Sequence, residues 1–220
     1  LYFHGGAYVQ SFVRPHGMFL ADLIKATNCT ITAPDYPLAP AHTYEDAFAM
    51  AVIIYKQLIT HTNPEDLIVM GDSSGGGFAL ALAQLLRDEN IQPPGRLILL
   101  SPWLDITLSN PEIKEIDPSD PFLGIEGLLK AGRSYAGKTP PDNPLLSPIY
   151  GSLQGLPGIT VFAGANEILV ADTRKLKRLA EAEGVPLDYY EYANMFHAWM
   201  LLNFPESHQA RKQITGLINS

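Results

Sequence analysis

The sequence predicts an α/β domain, with a mostly parallel sheet and helices on both of its faces. Three observations carry this expectation. Short apolar runs rich in Val, Ile and Leu alternate with longer amphipathic segments. The short runs mostly lack polar alternation, as strands covered on both faces do. With 220 residues, 46% of them hydrophobic, the chain is long enough to bury one sizeable core.

The candidate strands are Leu1–Phe3, Cys29–Ala33, Leu67–Met70, Arg96–Leu100, Ile159–Ala163 and Leu187–Tyr192. Helical periodicity runs over His16–Ala26, Tyr44–Thr60, Ser74–Asn90, Val170–Glu183 and Glu206–Ile218. The stretch from Asp105 to Tyr150 breaks the rhythm. It carries Pro111, Pro118, Pro121, Pro140, Pro141, Pro144 and Pro148, and it is longer than a plain connection. It reads as a cap-like insertion over residues 105–150, holding one helix near Ile125–Tyr135 and roofing the carboxyl edge of a single domain, 1–220. Only a stub of strand precedes His4, and the chain does not open on Met. Sequence upstream is therefore expected.

Composition excludes several classes. A formal net charge of −8 repels phosphate backbones, so nucleic acid is not an expected partner. The basic cluster Arg174–Arg178 falls on a helix and reads as a solvated face. The single cysteine, Cys29, forms no intrachain disulfide and reads as an inert buried thiol. No His/Cys cluster has metal-ligand spacing. No apolar run is long enough to cross a bilayer, and a cytoplasmic location is expected, with a secretory leader left open by the missing start.

Ile68-Val69-Met70 leads into Gly71-Asp72-Ser73-Ser74-Gly75, and a helical pattern follows. Gly-x-Ser-x-Gly between strand and helix marks a tight turn that lifts a nucleophile above the sheet. The residues two before and two after it must be small, so that strand and helix pack closely. Chance supplies only roughly 0.08 such patterns in a chain of this length. A phosphate loop would need a Lys that is absent here. Ser73 is the expected nucleophile and Ser74 the alternative, although only Ser73 is centred between glycines.

His4-Gly5-Gly6-Ala7 follows the first strand, where paired glycines let backbone N–H groups turn toward a ligand. Gly5, Gly6 and the N–H of Ser74 are the expected oxyanion donors. An order of Ser, then acid, then His leaves His197 and His208 as bases. His197 lies in a short loop after a strand and His208 in a solvent-facing helix, so His197 is favoured. His4 reads as loop packing, and His16, His42 and His61 as surface or supporting groups. Glu167 stands three residues beyond Gly164 at a strand end and is the expected acid; Asp172, a turn into the next helix, is its rival.

His4-Gly5-Gly6, Asp35-Tyr36-Pro37-Leu38-Ala39-Pro40, Gly71-Asp72-Ser73-Ser74-Gly75-Gly76, Ser101-Pro102-Trp103-Leu104-Asp105 and Phe196-His197-Ala198-Trp199 together resemble the hormone-sensitive-lipase-type esterases of the α/β-hydrolase superfamily. The likeness spans nearly the whole chain in the family's order. It implies an α/β-hydrolase fold and cofactor-free hydrolysis of short to medium acyl esters, small molecules in this reading. It implies Ser73, Glu167 and His197 as triad, with Gly5, Gly6 and Ser74 as oxyanion donors and Asp72 supporting the elbow. Dimerisation through the last strand is also implied. The chain departs from the family at Pro37, where Arg is usual, and at Glu167, where Asp is frequent. Such proteins also carry an N-terminal segment with cap helices and the first strands of the sheet, which do not appear in this sequence. Two other readings stand beside the esterase: a binding protein on a hydrolase scaffold, and a lactone or amide hydrolase using the same residues. Trp103 and Phe122 are candidate pocket-lining or core residues.

Overall fold

A computed structural model describes residues 1–220. Its sheet has five strands in the order of the sequence: β1 (Tyr2–Phe3), β2 (Ile68–Asp72), β3 (Arg96–Leu100), β4 (Gly158–Gly164) and β5 (Leu187–Tyr192). All four pairings are parallel, and the register Asp72↔Leu100↔Phe162 aligns the carboxyl ends of the central strands. Seven helices surround it: α1 (Arg14–Thr27), α2 (Tyr44–Leu58), α3 (Ser74–Asp88), α4 (Ile113–Ile116), α5 (Ile125–Ala136), α6 (Val170–Glu183) and α7 (Pro205–Ile218).

Alternation along β3 shows why both faces are covered. Leu97 and Leu99 enter a larger core with Phe48 and Ala51 of α2, Phe78 of α3 and Leu176 of α6. Ile98 and Leu100 enter a smaller core with Phe19 and Leu23 of α1 and Ala210 and Ile214 of α7. The central strands are apolar on both sides because helices wait on both. None of these helices is long and apolar enough to cross a membrane.

The structure departs from expectation in a few places. Cys29–Ala33 is not a strand; its one tie to β1 is the bond from the Tyr2 N–H to the Thr32 carbonyl at 2.8 Å. Cys29 is half-buried rather than buried. For Trp103, by contrast, the core alternative holds: it is fully buried, with its indole N–H donating to the Asp105 carbonyl at 2.8 Å.

The Asp105–Tyr150 excursion is knotted at its base by one carboxylate. Asp105 Oδ1 accepts the N–H and hydroxyl of Thr107 at 2.8 and 2.6 Å. Its Oδ2 accepts the hydroxyls of Ser109 and Tyr150 at 2.7 and 2.9 Å. Burial pushes the Asp105 pKa up, but these donors outweigh it and hold the carboxyl below its ordinary range.

Candidate active site

Position 73 has φ 53° and ψ −124°, a conformation that costs a non-glycine residue about 1–3 kcal/mol. The surrounding main chain over-determines it. Ser73 N–H donates to the Leu100 carbonyl at 2.8 Å, while its own carbonyl accepts the N–H groups of Trp103, Gly76 and Gly77 at 2.9, 3.0 and 3.2 Å. The elbow closes only because its flanking residues lack side chains. A Cβ on Gly71 would lie 2.2 Å from the Gly75 carbonyl oxygen, and one on Gly75 would lie 2.1 Å from that of Phe3.

Glu167 stands in the turn between β4 and α6, and His197 in the loop after β5. His197 Nδ1 donates to Glu167 Oε2 at 2.5 Å, with both side chains buried. Glu167 Oε1 accepts the Ser101 hydroxyl at 2.7 Å and the Gly164 N–H at 2.8 Å. Ser101 Oγ in turn accepts the Ala198 N–H at 3.1 Å, so it braces the acid and the histidine loop together. Burial alone would lower the His197 pKa, but the Glu167 carboxylate outweighs it and raises it above the ordinary 6.5.

Ser73 and His197 open onto one cavity of about 480 Å³, without a direct hydrogen bond between them. Gly5, Gly6 and Ala7 line it from the turn after β1. One wall comes from the excursion, through Phe122, Leu123, Gly124, Gly127, Leu128 and Ala131. The Phe122 ring lies 6.3 Å from the His197 ring. Asp120 ties this wall to the acid turn: Oδ1 accepts the N–H groups of Phe122 and Leu123 at 2.8 and 2.9 Å, and Oδ2 accepts that of Ile168 at 2.8 Å.

The expected donor set needs one correction. Gly5 N–H donates to Asp72 Oδ1 at 2.9 Å, so it is not available to an oxyanion. The N–H groups of Gly6 and Ala7 have no backbone partner, and both residues line the cavity. Ser74 is the first residue of α3, so its N–H has no acceptor within the helix. Ala7 and the brace Ser101 were not anticipated. Neither an alanine beside a glycine pair nor a serine after a strand carries a distinctive signal. Of the two readings of His16, surface or supporting, its place fits the second: it is 5% exposed and borders the same cavity.

The rivals lie elsewhere. His208 is exposed and meets Asn203 at 2.7 Å. Asp172 is buried, with Oδ1 accepting from Asn110 at 3.0 Å and Oδ2 unpartnered. Burial lifts its pKa from 3.8 to about 6 against the pull of Asn110. The folded state thus holds this proton more tightly than the unfolded chain. The stability it lends is full below pH 3.8 and is lost as pH rises through about 6. Asp172→Asn has no proton to lose. Between about pH 5 and 8 the wild type is expected to lose on the order of 1 kcal/mol that the variant keeps. Urea unfolding of both proteins at the two pH values measures the difference, and equal losses would contradict it.

The sequence profile described as alpha/beta hydrolase fold matches residues 1–201. An esterase of Acinetobacter venetianus is 34% identical over 221 residues, covering 99% of this chain and 73% of that protein. An acetyl-hydrolase of Streptomyces hygroscopicus is 31% identical over 200 residues, covering 90% of this chain and 67% of that one. Among solved structures, an esterase from the bacterial hormone-sensitive lipase family superposes with a TM-score of 0.94 at 33% identity, covering 99% of this chain and 74% of its own. The crystal structure of EstE5 soaked with p-nitrophenyl butyrate superposes with a TM-score of 0.93 at 31% identity, covering 100% of this chain and 75% of its own. With its parallel sheet, its strained serine elbow and these relatives, the chain belongs to the α/β-hydrolase fold family, among the esterases of the hormone-sensitive-lipase type.

Proposed function

We propose that this carboxylic ester hydrolase is a serine esterase that cleaves short to medium acyl esters through an acyl-enzyme, with Ser73 as nucleophile, His197 as base and Glu167 as acid. The observation that carries the reading is the bond from His197 Nδ1 to Glu167 at 2.5 Å. It puts the imidazole proton on Nδ1 and leaves Nε2 with a lone pair, in the cavity that Ser73 shares. His197 Nε2 takes the Ser73 proton as Oγ attacks the ester carbonyl, and returns it to the departing alcohol. Water activated by the same nitrogen then cleaves the acyl-enzyme. Gly6, Ala7 and Ser74 donate N–H groups to the oxyanion, in place of the set that included Gly5. The excursion acts as a cap-like wall, and its Phe122 and Leu128 give the cavity an apolar side suited to acyl or alkyl groups.

A fluorophosphonate probe tests this directly. It is expected to leave its adduct on Ser73, at a rate that falls in acid as His197 gains a proton. Because the His197 pKa is raised, the midpoint of that fall is expected above 6.5. An adduct elsewhere, or no adduct, would favour a binding protein on the same scaffold. A labelling rate constant between about pH 8 and pH 5 would remove His197 from the role of base.

A further inference from the structure

The Asp72 side chain gathers groups from three separate segments. Its Oδ1 accepts the Tyr2 hydroxyl of β1 at 2.5 Å and the Gly5 N–H at 2.9 Å. Its Oδ2 faces His16 Nε2, in the first turn of α1, at 3.4 Å. The residue is only 3% exposed, so each oxygen depends on protein donors.

The tautomer of His16 follows from its other neighbour. Nδ1 lies 3.1 Å from the Val13 N–H, which can only donate. Nδ1 is therefore the acceptor, and the ring proton sits on Nε2, facing the carboxylate. His16 is the one donor on Oδ2, whereas Oδ1 has two.

We propose that His16 is a positioning residue of the esterase site. By donating Nε2–H to Asp72 Oδ2, it orients the carboxylate whose other oxygen grips Gly5 and so fixes the turn that presents Gly6 and Ala7 to the oxyanion. The packing leaves that grip little slack: a Cβ on Gly5 would lie 2.3 Å from Asp72 Oδ2. Burial works against the Asp72 charge, but His16, Tyr2 and Gly5 outweigh it and hold the carboxyl below its ordinary range. Oxyanion donors meet charge that develops only in the transition state. Loosening them therefore lowers kcat and leaves KM nearly unchanged.

The inference rests on the serine-esterase reading, and paired substitutions test it separately. In His16→Asn, the side-chain oxygen can still accept from Val13, but nothing reaches Asp72. In His16→Gln, the amide nitrogen can reach Asp72 while the bond to Val13 is lost. With p-nitrophenyl butyrate, His16→Asn is expected to lose about tenfold or more in kcat, with KM within about twofold and an unchanged thermal midpoint. His16→Gln is expected to recover most of kcat even where its midpoint falls. A His16→Asn enzyme with wild-type kcat would overturn the proposal. So would equal losses in both variants, or a loss confined to KM. If the position-16 variants do not fold, Tyr2→Phe removes a donor from Oδ1 instead, and an unchanged kcat there would overturn the carboxylate's part. Ser73→Ala, run alongside, separates the two readings: if it hydrolyses at the wild-type rate, the esterase mechanism itself has failed.

Discussion

Ser73→Ala is expected to lower kcat by about a millionfold while leaving the thermal midpoint unchanged or slightly higher. In the proposed mechanism the loss is large because the hydroxyl is the group that bonds to the acyl carbon, and neither His197 nor the proposed oxyanion donors can substitute for it. What remains is the acceleration that binding and the oxyanion donors give without a nucleophile. The stability is spared because the bonds that hold position 73 run through its main chain, to Leu100, Trp103, Gly76 and Gly77. Steady-state hydrolysis of p-nitrophenyl acetate, with a melting curve of the same sample, separates the two effects. A variant that is slow only because it has unfolded would contradict the account, as would one that remains fast.

Glu167→Gln is expected to cost about ten-thousandfold in kcat with the fold intact, because the substitution reverses a tautomer. Glu167 Oε1 accepts from the Ser101 hydroxyl and the Gly164 N–H. The Gly164 N–H can only donate, so the oxygen of Gln must take that place. The amide nitrogen, also a donor, then faces His197 Nδ1. His197 Nδ1 becomes an acceptor, the ring proton moves to Nε2, and the base no longer has a lone pair for Ser73. Imidazole NMR of the variant should show the proton on Nε2, against Nδ1 in the wild type. Glu167→Asp, one methylene shorter, keeps the charge and is expected to lose far less. A Gln variant with near-wild-type kcat would mean that the carboxylate does not orient the base.

Much of this arrangement could be read in the sequence because it depends on short-range sterics. Gly71 and Gly75 are dictated by backbone atoms 2.2 and 2.1 Å from where their Cβ would be, and such constraints leave a fixed spacing behind. The runs of β3 and β4 were visible because strands buried on both faces are apolar at nearly every position, with Thr160 the polar residue inside β4. Cys29–Ala33 looked similar but lies at the sheet margin, where a single bond from Tyr2 is too little to make a ladder. The role of Gly5 was hidden for a different reason. Whether its N–H is free depends on where a carboxylate 67 positions away points. His16 shared that difficulty: on α1 it looks like any polar residue of an amphipathic helix until Asp72 is seen against it. Ser101 braces Glu167 and the Ala198 N–H across separations of 66 and 97 residues, a relation that no local pattern records.

Asp120 gives the excursion a second kind of influence. Its carboxylate joins the wall behind Phe122 to the backbone at Ile168, and its charge contributes to the elevated pKa of His197. Segment exchange here would therefore tune two properties at once. A replacement loop of different bulk would alter which esters are admitted. If it also dropped this negative charge, it would carry the enzyme's working range toward lower pH. Libraries meant to diversify selectivity alone should hold that aspartate fixed and vary the bulk around it.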